Sequence, residues 1–207
     1  MTTIREILGS NRIVPVVSID DASRAADLVS TLAAAGVTII EVTFRTDAAA
    51  ETIRRCRDAG GVAVGAGTVR TRDQVDLAMD SGAEFLVSPG FNPAVVDYAQ
   101  QKGIAHVPGT MTPGEVERAA AMGLDVLKFF PAEPAGGSRF LKVLGSVYPE
   151  IGFMPTGGIG PDNLGEYLAL PNVLACGGSW MVEPGWITDG NFDQVRSACE
   201  EARALIR

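Results

Sequence analysis

Lys128 stands in "VLKFFPA" (126–132), an apolar run of the kind that forms a buried strand. Lysine is among the residues least often fully buried unless paired. An unpaired ammonium in an apolar interior is so costly that the group tends to neutralise instead. Lys128 therefore either reaches solvent or serves as a free amine, and a free amine adds readily to a ketone to form an imine. Glu41, Thr43 and Arg45 pose a second question. They lie two apart in "TIIEVTFRT", so on a strand they share one face. Glu41 is a carboxylate inside an apolar segment, suited to proton transfer. Arg45 comes at the end of the run, where its planar fork can grip a carboxylate or phosphate. The bland alternatives are a strand face turned to solvent and a structural Lys128–Glu41 ion pair. The ion pair is compatible with imine chemistry, since a neighbouring glutamate can shuttle protons. Lys102 and Lys142, the two remaining lysines, fall in helical or loop segments where solvated surface positions are expected.

Two glycine pairs close the list of candidates. "PTGGIGPDN" (155–163) and "CGGSW" (176–180) carry Gly157, Gly158, Gly178 and Ser179. Paired glycines let backbone amides approach an anion, although tight turns use them too. The single histidine, His106, reads as a core residue. It cannot build a multi-histidine metal site, and no acidic cluster stands at a strand end to replace one. Cys56, Cys176 and Cys199 are far apart and form no CxxC, so neither a disulfide framework nor a zinc cluster is expected.

The elements that must position these residues recur along the chain. Short apolar runs at 13–19, 38–44, 62–68, 85–90, 105–110, 126–132, 152–158 and 173–179 each end near Gly, Pro, Ser or Thr, as strands entering loops do. Between them lie helical patterns such as "DDASRAADLVSTLAAAG", "TRDQVDLAMDSG" and "TPGEVERAAAMG". Thr71 and Thr112 are candidate N-caps, and Gly36, Gly82 and Gly123 candidate stops. Eight strands alternating with helices predict parallel βαβ units closed into a (β/α)8 barrel. An open doubly wound sheet is the runner-up, but the first strand leads into "VSIDDAS" without a GxGxxG turn. In a barrel the strand ends carry the site, and the loops after the last two strands hold phosphate. One face of Glu41, Thr43 and Arg45 would then meet the barrel interior.

Composition narrows the function classes. With 207 residues, 46% apolar and 20% charged, the chain reads as one globular domain over 1–207. A net charge of −8 argues against nucleic acid as the main partner. No apolar run reaches the roughly 18 residues of a membrane span. "MTTIREILGSNR" predicts a short amphipathic helix, not a signal peptide, so the cytoplasm is the expected location.

"EVTFRT", "GAGTV", "SPG", "PGTMTP", "KFFPAE", "PTGGI" and "GGSW", in this order and spacing from about residue 12 to about residue 182, resemble the 2-keto-3-deoxy-6-phosphogluconate and 4-hydroxy-2-oxoglutarate aldolases. The resemblance implies a class I aldolase on a (β/α)8 barrel, a homotrimer working without metal or cofactor. Its substrate would be a small phosphorylated keto acid, cleaved reversibly to pyruvate and glyceraldehyde 3-phosphate. It implies that Lys128 forms the Schiff base, Glu41 is the general acid and base, and Arg45 binds the pyruvate carboxylate. Thr68 and Thr156 would line the pyruvate end, with Pro89 and Phe130 as apolar walls. Gly157, Gly158, Gly178 and Ser179 would hold the phosphate. Galactonate-type relatives often carry an arginine near the end of the first strand. Here Val17 and Ser18 stand there and Arg12 precedes the strand, which favours the gluconate epimer. The competing readings are the galactonate enzyme, a phosphosugar isomerase or epimerase, and a non-catalytic sugar-phosphate-binding protein.

Overall fold

The computed structural model describes residues 3–206; Met1, Thr2 and Arg207 lie outside the described residues. The predicted N-terminal helix is α1 (Ile4–Asn11), opened by a reciprocal capping box between Thr3 and Glu6. Eight helix-strand steps follow. β1 (Ile13–Val17) leads through a 3-10 turn (Ala22–Arg24) into α2 (Ala25–Ala34), then β2 (Ile39–Thr43), α3 (Ala49–Ala59), β3 (Ala63–Gly67) and α4 (Arg72–Ser81). The chain continues through β4 (Phe85–Val87), α5 (Pro93–Lys102), β5 (Ala105–Val107), β6 (Gly109–Thr110) and α6 (Pro113–Ala121). It ends with β7 (Val126–Phe129), α7 (Gly137–Val147), β8 (Gly152–Pro155), α8 (Pro161–Leu168), β9 (Cys176–Gly178), α9 (Pro184–Thr188) and α10 (Phe192–Ala204).

All the strands run parallel. One ladder has the order β5-β4-β3-β2-β1-β9 and a second the order β6-β7-β8. The predicted strand over 105–110 is one extended segment cut in two by Pro108, which has no N–H to give the ladder. Its first half pairs with β4 and its second with β7, and Lys128 N donates to Pro108 O at 2.9 Å. On the other side, parallel bridges from Phe153 to Val173 and from Thr156 to Gly177 join β8 to β9. Both seams closed, the ladders form the expected (β/α)8 barrel. Every residue of β1 and β2 is buried, because a parallel strand is covered on one face by the barrel interior and on the other by helices.

The interior fills by matching large residues to small ones. Gly65 sits in register with Phe85, and a methyl group on Gly65 would lie 2.2 Å from the Phe85 ring. Outside, α10, α2, α3, α4 and α5 pack in succession around the wall. Thr71 and Thr112 cap α4 and α6 as expected, each accepting from the backbone N–H three residues on. Gly36, Gly82 and Gly123 stand at helix ends with positive φ.

α1 closes the end opposite the site. Leu8 is buried there, and Arg5 donates to Asp125 and to the Asp125 and Glu150 carbonyls ahead of β7 and β8.

Candidate active site

The register puts the candidate residues in layers. Glu41 lies level with Val16 of β1 and Gly65 of β3. Lys128 lies level with Gly109 and Met154 across β6, β7 and β8. Both side chains point inward and are almost wholly buried, Glu41 1% and Lys128 5% exposed. They meet across the barrel, with Lys128 Nζ 3.4 Å from Glu41 Oε1. The Lys128 ammonium nitrogen lies over the Phe130 ring, 5.3 Å from its centroid. Glu41 Oε2 has no protein hydrogen-bond partner. The carboxylate fits only because Gly67 has no side chain: a Cβ there would lie 2.3 Å from Oε1.

Above this pair opens a cavity of about 320 Å³, within the range of small-ligand sites. Seven of the expected residues line it: Arg45, Phe130, Thr156, Gly157, Gly158, Gly178 and Ser179. Arg45 is exposed, and among the described residues its guanidinium has no salt-bridge partner. Thr156 is buried, and its hydroxyl has no protein partner. Gly177 makes room for it, since a Cβ there would lie 2.4 Å from Thr156 Oγ1. Two expected residues stand apart. Pro89 lines a separate groove of about 220 Å³ with Ser88 and Phe91. Thr68 is half-buried at the end of β3 with φ 60, a strained value for a β-branched residue.

The glycine turn after β8 is held from three directions. Gly157 and Gly158 have φ of 102 and 81, conformations that a side chain would strain. Glu133 N donates to Gly157 O at 3.0 Å, and Asn163 Nδ2 of α8 donates to Gly158 O at 3.0 Å. The Glu133 side chain packs where a Cβ of Gly158 would stand, and its carboxylate accepts a hydrogen bond from the Tyr167 hydroxyl. Burial first, and then the Glu133 contact, hold the Tyr167 phenol well above its ordinary range. Gly178 is required for a different reason, since the Trp180 ring folds back onto it and leaves no space for a Cβ.

Sequence reasoning missed several of these groups. Val16, Ser18, Ile159 and Pro184 also line the cavity, and all four have types that packing alone would explain. Pro184 brings the C-terminal segment into the site, a contribution beyond the closing helix α10. Glu133 lay inside the quoted "KFFPAE", but only the fold shows that its carboxylate meets Tyr167.

Other candidate groups serve structure. Arg12 donates to the carbonyls of Val173 (2.6 Å), Leu174 (3.1 Å) and Leu168 (2.6 Å), at the opposite end of the barrel from the cavity. A cavity of about 480 Å³ beside it is lined mainly by apolar residues of α8 and the C-terminal end of α10. It is larger than the site above Lys128 but gathers no pair of reacting groups. His106 is buried. The Ser88 hydroxyl donates to Val69 O, so His106 Nε2, 2.6 Å away, must carry the proton and donate to Ser88. His106 Nδ1 is unpartnered, so this core histidine is only half satisfied. Burial lowers its pKa to about 4. The three cysteines are free, and burial raises each thiol to about 12, which rules them out as thiolate nucleophiles at neutral pH. Among the described residues no three His, Cys, Asp or Glu side chains gather as a metal-binding group.

A buried amine facing a carboxylate, under the mouth of a parallel barrel with a glycine-lined rim, defines an aldolase-type lyase barrel. The comparisons carry this further: the chain belongs to the KDPG and KHG aldolase family, whose sequence model matches residues 4–198. It is 44% identical over 207 residues, 100% of this chain and 99% of the relative, to the 2-dehydro-3-deoxy-phosphogluconate aldolase of Treponema pallidum (strain Nichols). The 4-hydroxy-2-oxoglutarate/2-dehydro-3-deoxyphosphogluconate aldolase from TTHB1 superposes with a TM-score of 0.91 at 41% identity, covering 98% of each chain. The Legionella pneumophila KDPG aldolase, solved with pyruvate captured as a covalent carbinolamine, superposes with a TM-score of 0.92 at 34% identity, covering 96% of this chain and 97% of its own.

Proposed function

We propose that this chain is a class I aldolase that reversibly cleaves 2-keto-3-deoxy-6-phosphogluconate to pyruvate and glyceraldehyde 3-phosphate. It also takes 4-hydroxy-2-oxoglutarate, giving pyruvate and glyoxylate. The observation that carries this reading is the buried Lys128–Glu41 pair at 3.4 Å beneath the cavity. Lys128, as the free amine, attacks the C2 ketone to give a carbinolamine, which loses water to become a protonated imine. Glu41, directly or through water, removes the C4 hydroxyl proton. The C3–C4 bond breaks, its electrons enter the imine, and the aldehyde leaves. The same proton is returned to C3 of the enamine, and water hydrolyses the imine to release pyruvate and the lysine. The imine acts as the electron sink.

Arg45 would bind the pyruvate carboxylate, with Thr156 and Thr68 at the pyruvate end and Phe130 as the apolar wall. Pro89 faces its own groove, so the geometry supports Phe130 better than Pro89 in that role. Gly157, Gly158, Gly178 and Ser179 would hold the phosphate, aided by the N-terminus of α8. Arg12 is committed to three backbone carbonyls and Ser18 stands at the end of β1, so no arginine reaches the cavity from the first strand. This supports the gluconate over the galactonate epimer. The working unit is one barrel over 1–207, assembled as a homotrimer in the cytoplasm. The trimer rests on family resemblance. Among the described residues no helix is long and apolar enough to cross a membrane.

The test is pyruvate release from the phosphorylated substrates. Glu41→Gln should lower kcat about 100-fold or more, the usual worth of a positioned acid–base group, and Lys128→Met should abolish turnover. The gluconate epimer should show the higher kcat/KM. A Lys128→Met protein that still cleaves substrate would contradict the mechanism and favour an isomerase-like or imine-free reaction.

A further inference from the structure

Of the cavity residues to which no role has been attached, Ser18 is the polar one, and its hydrogen bonds are unusually restrictive. Thr43 Oγ1 donates its only proton to Val17 O at 2.8 Å. Ser18 Oγ lies 2.6 Å from Thr43 Oγ1. With the threonine proton already used, the shared proton must come from Ser18. A hydroxyl has one proton and two lone pairs, so Ser18 turns only acceptor capacity toward the cavity it lines with Arg45, Thr156 and Gly158. It cannot donate to a carboxylate or phosphate oxygen without breaking the Thr43 contact. Its complement is a substrate hydroxyl that donates.

Position along the barrel and donor chemistry together narrow which hydroxyl. Val16 lies level with Glu41, and Ser18 is two residues farther on the same face, about 7 Å nearer the mouth at the usual strand rise. Glu41 serves the oxygen on C4. The next carbon toward the phosphate turn is C5, which bears a hydroxyl in 2-keto-3-deoxy-6-phosphogluconate and is a carboxylate carbon in 4-hydroxy-2-oxoglutarate. We infer that Ser18, oriented by Thr43, accepts a hydrogen bond from the substrate's C5 hydroxyl and so sets the preference for phosphorylated sugar acids over hydroxy-oxo diacids. The inference rests on the substrate reading above. It differs from the phosphate contacts in selecting the carbon chain itself, since against a C5 carboxylate acceptor would face acceptor.

The readout is the ratio of kcat/KM for the two substrates. In Ser18→Ala the ratio should fall about fivefold, the worth of one neutral hydrogen bond, while Ser18→Thr, which keeps the hydroxyl, should retain it. Thr43→Val frees the serine proton and should lower the ratio in the same direction; it decides the matter if Ser18→Ala does not fold. An unchanged ratio, including equal losses on both substrates, would overturn the assignment and leave Ser18 a purely structural partner of Thr43. A wild-type protein that does not cleave the phosphorylated substrate at all would instead sink the function proposed above, so the two failures are distinct.

Discussion

Glu41, the proposed acid–base group, owes its geometry to a residue that does nothing chemical. Its carboxylate occupies the space in which Gly67 lacks a side chain, which turns Oε1 toward Lys128. Gly67→Ala should displace that carboxylate and lower kcat by about 100-fold, because misplacing a catalytic group by an ångström is costly in rate. The unfolding midpoint in urea, measured beside kcat, would separate this from loss of fold. His106 gives a second prediction, about stability. Its pKa is depressed from 6.5 to about 4 by burial, so between these values the unfolded chain binds a proton that the folded one refuses. The stabilisation is complete above pH 6.5 and is lost as pH falls toward 4. The loss amounts to about 3 to 4 kcal/mol at most, taking about 1.4 kcal/mol per pKa unit. In His106→Gln the urea midpoint should vary less over that range than in the wild type.

At the scale of elements, much was legible because it is local. The apolar runs located the strands, and Thr71 and Thr112 located the starts of α4 and α6 from side-chain type alone. Lys128 and Glu41 were legible because ionisable groups inside apolar runs are rare. The switch of partner at Pro108, from β4 to β7, and the seam between Thr156 and Gly177 were not, since both arise from pairing between segments distant in sequence. Ser18, Val16 and Pro184 were silent for a related reason: their types carry no signal until the fold shows that they face the cavity. The link from α8 to the glycine turn was hidden in the same way. Tyr167 tethers Glu133, which with Asn163 fixes the Gly157–Gly158 turn. Tyr167→Phe should therefore loosen the turn proposed to hold the phosphate, raising KM for the phosphorylated substrate about fivefold with kcat nearly unchanged, as expected for loss of one hydrogen bond. Steady-state kinetics on both substrates would check it, since 4-hydroxy-2-oxoglutarate, without a phosphate, should be unaffected.

The whole molecule divides its work between two ends. The floor is built for stability: α1 closes it, Arg5 binds Asp125 at 2.8 Å, and Arg12, at φ 64, offsets its strained backbone with three donated hydrogen bonds. Arg12→Met should leave those carbonyls unsatisfied and cost about 3 kcal/mol by urea unfolding, with kcat unchanged in the folded protein. The mouth is built for chemistry, where a barrel gathers side chains from several strand ends. The three lysines report on this division. Lys102 sits on the outer face of α5, where Asp76 at 2.8 Å first among its neighbours keeps its ammonium charged, and Lys142 is exposed on α7. Lys128 alone lies inside the barrel. The most direct test is borohydride reduction of the protein with pyruvate, followed by peptide mass mapping. The account predicts a reduced pyruvyl group on Lys128 and neither of the others. An active protein with Lys128 unmodified, or with the label on Lys102 or Lys142, would contradict it.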